Sequence, residues 1–292
     1  MGLIDGFEHI VRDNEPLAHY TWFRLGGEAE YFAEPTTVEE LADVVKRFRE
    51  ADQPIRLIGG GSNLLIRDKG VKGLVIHLSA PAFGGISVKD NIVKAGSGAK
   101  LGHVISTAVR EGLGGLETLV GIPGTIGGAL HTNATAHSGD VGQWTRAARV
   151  MTRSGEILSR TRDELSFAYR ESSLDELVIL DAEFELERED PAELTKRLQK
   201  TWIVKKAGQP AANQSIGCIF KDAGGIAAEG LIEQAGLKGM KVGDAEVGGK
   251  NSNFIVAGAG ATADDVLQLI ELMQSQVSDR LGVDLERQVE IW

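Results

Sequence analysis

The chain has 292 residues, of which 42% are hydrophobic and 25% charged, a composition that suits a soluble globular protein of one elaborate domain or two. The formal net charge of -11 repels phosphate backbones and argues against general nucleic-acid binding, although a local basic cluster can still hold a small anion. A single cysteine, Cys218, admits no internal disulfide, and six histidines without metal-ligand spacing support no metal site.

The chain opens Met1-Gly2-Leu3-Ile4-Asp5-Gly6, with no basic region followed by an apolar core. No apolar run approaches the roughly 18 residues that a membrane span needs. A cytoplasmic protein without a membrane partner is expected. The first helix signal is Thr36 with Glu39 three residues on, followed by Val38, Leu41, Val44, Val45 and Phe48 at helical spacing. Short strands rich in β-branched residues follow at Ile55–Ile58, Leu74–His77 and Ile92–Ala95.

Glycine is frequent, 37 residues, and clustered. The first loop of interest is Gly59-Gly60-Gly61-Ser62-Asn63, directly after an apolar strand. Without Cβ atoms the backbone turns sharply, and successive N–H groups can face an anion. A plain tight turn explains the same residues equally well. The second loop is Gly121-Ile122-Pro123-Gly124-Thr125-Ile126-Gly127-Gly128, with Asn133 beyond it. Neither loop has the Rossmann or P-loop pattern. Two such loops, far apart in sequence, point to an extended diphosphate held from two sides.

Further along, Val178–Leu186 reads as a strand and Glu187-Arg188-Glu189-Asp190 as a linker. Pro191 then sits at the first position of a helix. The expected division is residues 1–189 and 190–292. Lys205-Lys206-Ala207-Gly208-Gln209-Pro210 puts two adjacent lysines in an acidic chain, suited to a diphosphate or simply to a solvated helix end. Asn253–Ala257 reads as a strand. Thr262 opens a last helix that Gly282 closes. The whole is α+β.

Several motifs in one order carry a resemblance: the two glycine loops, Tyr169-Arg170-Glu171-Ser172, Gly217-Cys218-Ile219-Phe220-Lys221, Ala235-Gly236-Leu237-Lys238-Gly239 and Asn253-Phe254-Ile255-Val256. From about Thr21 to the C-terminus the chain resembles the UDP-N-acetylenolpyruvoylglucosamine reductase (MurB) family of peptidoglycan synthesis. The resemblance implies an FAD-binding region of the vanillyl-alcohol-oxidase type followed by a smaller α+β substrate domain. It implies that NADPH, as co-substrate, reduces the flavin and that an enolpyruvyl UDP-sugar receives the hydride. An FAD oxidoreductase on another substrate and a non-catalytic flavoprotein are the alternatives.

On this resemblance the FAD pyrophosphate, bound non-covalently, falls to Gly59, Gly60, Gly61, Ser62, Asn63, Gly121, Ile122, Pro123, Gly124, Thr125, Gly127, Gly128 and Asn133. Arg170 matches the catalytic arginine; a surface ion pair with Glu171 or Asp175 is the other explanation of that residue. Cys218 stands where the family usually has a proton-donating serine, and a thiol is the stronger acid. Simple packing of a small side chain is its alternative. Gln288 falls on the family's catalytic glutamate. Glu286 or Glu290 takes that place only if the chain end slides by two residues. Lys206 and Lys221 match substrate-binding positions. His137 reads as a loop residue.

Overall fold

The computed structural model describes residues 2–136, 139–208 and 215–292. They form two compact units. The first comprises Met1–Asp13, Glu30–Gly60 and Lys72–Lys205, and the second Asn14–Ala29, Gly61–Val71 and Lys206–Trp292. Compactness therefore follows contacts more than chain order: the glycine loop at 59–63 itself carries the chain from one unit to the other.

In the first unit a five-stranded sheet runs in the order Ile157–Thr161, Thr145–Met151, Val178–Glu185, Ile92–Gly96, Ile86–Lys89. Every neighbouring pair is antiparallel. Alternation sends Val93, Ala95, Ala148, Val150, Ala182 and Phe184 to one face. There they pack in one core with Val104, Ile105 and Ala108 of the helix Leu101–Arg110 and with Ala129 and Leu130 of the helix Ile126–His131. Arg149, Asp181 and Lys94 alternate to the other face, where buried Asp181 accepts from Arg149 Nε at 2.7 Å and pairs with Lys94 at 3.2 Å.

A second sheet is ordered Val11–Pro16, Glu28–Ala33, Val71–His77, Ile55–Ile58, and its last two strands are parallel. The helix Val38–Glu50 buries Leu41, Val44, Val45 and Phe48 in a core shared with Leu74 and Ile76. It starts one residue later than the sequence suggests. Thr37 is the N-cap and accepts from Glu40 N at 3.1 Å, while the Glu40 carboxylate reaches back to Thr36 N and Oγ1, both at 2.7 Å. Adjacent threonines and adjacent glutamates allow both registers, and the box closes between Thr36 and Glu40 instead of Glu39. Those bonds, with one from His9, hold the Glu40 carboxyl down at about 2.

In the second unit a sheet is ordered Ser215–Cys218, Phe254–Ala257, Ala245–Val247, Lys241–Val242. The helices Ala228–Gln234 and Ala263–Leu281 share its core through Leu231, Ile232, Val266, Leu269, Ile270, Met273 and Val277. The longer helix has the expected ends: Thr262 and Asp265 form a reciprocal cap, and Gly282 adopts φ 67°. The chain end, Glu290–Ile291, pairs in parallel with Leu64–Leu65.

The charged stretch 187–190 is held by contacts with its neighbours. Glu187 and Arg188 pair with Gly114 and Leu113. Glu189 meets Arg197 at 2.7 Å, and Asp190 Oδ1 accepts from Ala192 N and Glu193 N at 2.9 and 3.0 Å. The carboxylates of Glu189 and Asp190 are thus spent on local partners, which composition alone does not reveal. Among the described residues no helix is long and apolar enough to cross a membrane, and no cluster of His, Cys, Asp or Glu could hold a metal ion.

Candidate active site

The two glycine loops meet within the first unit. A Cβ on Gly60 would lie 2.9 Å from Gly124 Cα, and one on Gly59 would lie 2.7 Å from Thr125 Oγ1. Side chains there would push the loops apart, so glycine is what lets backbone lie on backbone. Gly61, where the chain turns away, has φ 60° and its missing Cβ would sit 1.8 Å from Tyr20 O. The second loop is tied down on its protein side. Leu101 N donates to Gly124 O at 3.1 Å, Ile126 N to Ala99 O at 2.9 Å and Gly127 N to Ser97 O at 2.8 Å. Thr125 caps the short helix Ile126–His131 through Gly128 N, and Ile122 packs on the core. The result is two glycine-rich backbones held against each other at Gly59, Gly60, Gly124 and Thr125.

Arg170 stands at the tip of a two-residue hairpin turn between Phe167–Ala168 and Glu171–Ser172. Its φ is 61°, which costs a non-glycine residue on the order of 1 kcal/mol or more and persists where the surroundings impose it. Those surroundings are specific. Asn133, buried and itself at φ 43°, donates from Nδ2 to Ala168 O at 2.7 Å and accepts Gly142 N on Oδ1 at 3.0 Å. Ser172 Oγ donates to His131 O at 3.1 Å. Asn133, read in the sequence as a cofactor ligand, thus faces inward and braces the hairpin that presents Arg170. Neither Glu171 nor Asp175 forms an ion pair with Arg170, whose guanidinium lies 5.8 Å from the Tyr169 ring centre and whose Nε is enclosed without an acceptor.

Lys205, near the end of the helix Pro191–Gly208, joins this cluster. Its stem lies against Gly121, where a Cβ would be 3.3 Å from Lys205 Cδ, and Nζ donates to Thr118 O at 3.3 Å. Burial, and then the Arg170 charge, lower its pKa. The helix is anchored by Leu194 in the core and by Arg197, which meets buried Glu117 at 2.9 Å. Of the two adjacent lysines, Lys205 is the one turned inward; Lys206 is exposed. Gln209 and Pro210 of that stretch, and His137, lie outside the described residues.

The second unit holds the other set. Cys218 ends its strand opposite Phe254. Gln288 Nε2 donates to Cys218 Sγ at 2.9 Å. The Gln288 backbone is fixed by N–H donation to Ile219 O at 2.8 Å and by acceptance from Asn63 Nδ2 at 2.7 Å. Asn63, the last residue of the first glycine loop, also accepts Glu290 N at 2.9 Å. No sliding of the chain end is needed: Gln288 itself meets the cysteine. Glu286 turns to Lys221 Nζ at 2.6 Å, and Glu290 is exposed. Asp222 accepts Ala228 N at 3.0 Å and so caps the turn into the next helix.

One residue of a motif already quoted has a supporting role that its sequence did not reveal. Buried Asn253 accepts Phe220 N at 2.9 Å and donates to Phe220 O at 2.8 Å, closing both polar groups of the residue two after Cys218. Asn253→Ala leaves that N–H and C=O buried and unpaired. A loss of about 2–4 kcal/mol is expected, visible as a melting temperature lower by on the order of 5–10 °C. An unchanged melting curve would refute this role.

Comparison with known proteins gives two domain matches. The C-terminal domain of UDP-N-acetylenolpyruvoylglucosamine reductase matches residues 209–292, and an FAD binding domain matches residues 29–160. The UDP-N-acetylenolpyruvoylglucosamine reductase of Rhodopirellula baltica is 39% identical over 284 residues, covering 97% of this chain and 93% of the relative. That of Listeria innocua is 40% identical over 288 residues, covering 98% and 96%. Among solved structures, the MurB enzyme of Thermus caldophilus superposes with a TM-score of 0.83 at 34% identity, covering 97% of this chain and 99% of that one. A chitooligosaccharide oxidase, at 15% identity and a TM-score of 0.58, shares the fold.

Proposed function

The chain belongs to the UDP-N-acetylenolpyruvoylglucosamine reductase family, and we propose that it is the FAD-dependent enzyme that reduces UDP-N-acetylglucosamine enolpyruvate to UDP-N-acetylmuramate with NADPH in peptidoglycan precursor synthesis. The residues present fit the cofactor. Glycine at 59 and 60 lets the two loops lie backbone on backbone, and the peptide N–H groups of such loops suit a pyrophosphate. FAD, reduced by NADPH, supplies the hydride. The proposed division of labour puts FAD binding in residues 1–189, with Gly59–Asn63 and Gly121–Gly128 around its pyrophosphate, and substrate binding in residues 190–292. The cofactor is held non-covalently and the protein acts in the cytoplasm.

The observation that carries this reading is the unneutralised pair Arg170 and Lys205. Two cations crowd one another at the second glycine loop, and neither has a carboxylate partner among the described residues. Such an arrangement is costly until an anion arrives. The Arg170 guanidinium is the fork for the enolpyruvyl carboxylate, and Lys205, with Lys206 and Lys221, serves anionic groups of the UDP-sugar. Asn133 is then a positioning residue for Arg170. Hydride addition to the terminal methylene leaves an electron pair on the carbon next to the carboxylate. Arg170 stabilises that charge, and the Cys218 thiol delivers the proton.

The test is NADPH oxidation by FAD-loaded protein with and without the enolpyruvyl UDP-sugar. Oxidation should depend on that substrate, with UDP-N-acetylmuramate as the product. Flavin reduction that ignores the UDP-sugar would overturn the assignment and point to an oxidoreductase of another substrate. A bound flavin that NADPH does not reduce would point to a binding protein.

A further inference from the structure

Resting on the reductase reading above, we propose that Gln288 is a positioning residue whose side-chain N–H holds the sulfur of Cys218 and stabilises the thiolate left when the proton has gone. The contact is Nε2 to Sγ at 2.9 Å. Both partners are fixed from behind. The Gln288 backbone is bonded to Ile219 O and Asn63 Nδ2, and the strand pairing of Glu290 with Leu64 locks its register. Cys218 sits in strand register with Phe254, and Phe23 fills the space where Gly217 would carry a Cβ, 2.3 Å from the ring.

The chemistry of the pair follows from what an amide can and cannot do. It has no proton to give at neutral pH, so it cannot act as the acid. It can donate a hydrogen bond to sulfur, and a donor aimed at the charged form favours that form. A carboxylate at the same position would oppose a thiolate by like charge. The neighbouring carboxylates are kept off: Glu286 is engaged with Lys221 at 2.6 Å, and Glu290 is exposed. The step balances. Hydride adds to the methylene carbon, the S–H bond of Cys218 breaks, its proton bonds to the carbon beside the carboxylate, and the sulfur keeps the electron pair under the Gln288 amide. Solvent then returns a proton to sulfur. Cysteine and glutamine therefore belong together: the stronger acid needs no second acid beside it, only a neutral donor for its conjugate base.

The chain's only cysteine makes the test clean, because the first, fast alkylation by iodoacetamide is that of a thiol and the only thiol is Cys218. The rate is measured by intact mass on FAD-loaded protein near pH 8, where only the thiolate reacts. Gln288→Met keeps the length of the side chain and removes the donor. We expect it to be alkylated roughly 5- to 10-fold more slowly than the native protein, and Gln288→Glu more slowly still. Gln288→Glu is nearly isosteric and carries the test alone if the methionine variant fails to bind FAD. Equal rates in native and variant protein would overturn the pairing. If the rates fall in the expected order while Cys218→Ala keeps normal turnover, the pairing stands and the assignment of Cys218 as proton donor falls. If turnover collapses in Cys218→Ala but the alkylation rates are equal, the reverse holds.

Discussion

Cys218→Ala is expected to lower turnover of the enolpyruvyl UDP-sugar by about 100- to 10,000-fold, the usual contribution of a positioned general acid. The loss should fall on one half of the reaction. Reduction of the bound flavin by NADPH needs no proton from this thiol, so the rate of flavin bleaching in a stopped-flow mixing experiment should stay within about twofold of native. Reoxidation by the UDP-sugar should carry the whole defect. Gln288 cannot replace the missing acid, since a carboxamide has no proton to transfer. Cys218→Ser should recover most of the rate, because the hydroxyl sits on the same strand position beside the same amide and the family ordinarily uses serine there. The fold should survive both changes: Cys218 is partly exposed and its strand is held by pairing with Phe254. A Cys218→Ala protein that reoxidises at near the native rate would end the role of this thiol as proton donor.

How far the sequence reaches is clearest at the two asparagines that close the glycine loops. Residue type and place suggest that Asn63 and Asn133 point at the cofactor. In the fold, each spends its side-chain amide on the protein: Asn63 on the backbone of Gln288, Asn133 on the hairpin of Arg170. Those partners lie 225 and 35 residues away along the chain, and no local pattern announces them. The glycine clusters were legible as turns that admit close approach, whereas the contact of Gly60 with Gly124 needed the fold. Helix ends were legible because caps are local chemistry, and the one-residue offset at Thr37 arose where two threonines face two glutamates. Lys205 was legible in principle. It lies eleven residues, about three turns, after Leu194 on the helix Pro191–Gly208, so the helical period places it on the same buried stripe. Asn253 stood in a motif, but nothing local announced its bracing role, since its partner Phe220 lies 33 residues away along the chain.

Arg170→Ala is expected to reduce kcat/KM for the UDP-sugar by about 100- to 1,000-fold, the cost of removing one donor from a developing anion. Arg170→Lys should recover only part of this, since a point charge does not reproduce the planar fork that a carboxylate accepts. Neither variant should lose FAD, because the glycine loops keep their own ties through Leu101, Ile126 and Gly127. The alanine variant keeps the left-handed backbone at the turn, which Asn133 and Ser172 impose from outside, so the hairpin stays in place. A second readout separates loss of charge from loss of shape. The Arg170 charge helps to depress the pKa of Lys205, after burial; without it, Lys205 should titrate at higher pH and stay protonated where the native residue has begun to lose its proton. Acetylation of Lys205, followed by peptide mass at mildly alkaline pH, should therefore slow in Arg170→Ala and not in Arg170→Lys, where a cation persists. Unaltered activity in Arg170→Ala would remove this residue from the reaction. Lost activity with unaltered Lys205 reactivity would mean that the two cations act apart, and that the anion they await is not a shared one.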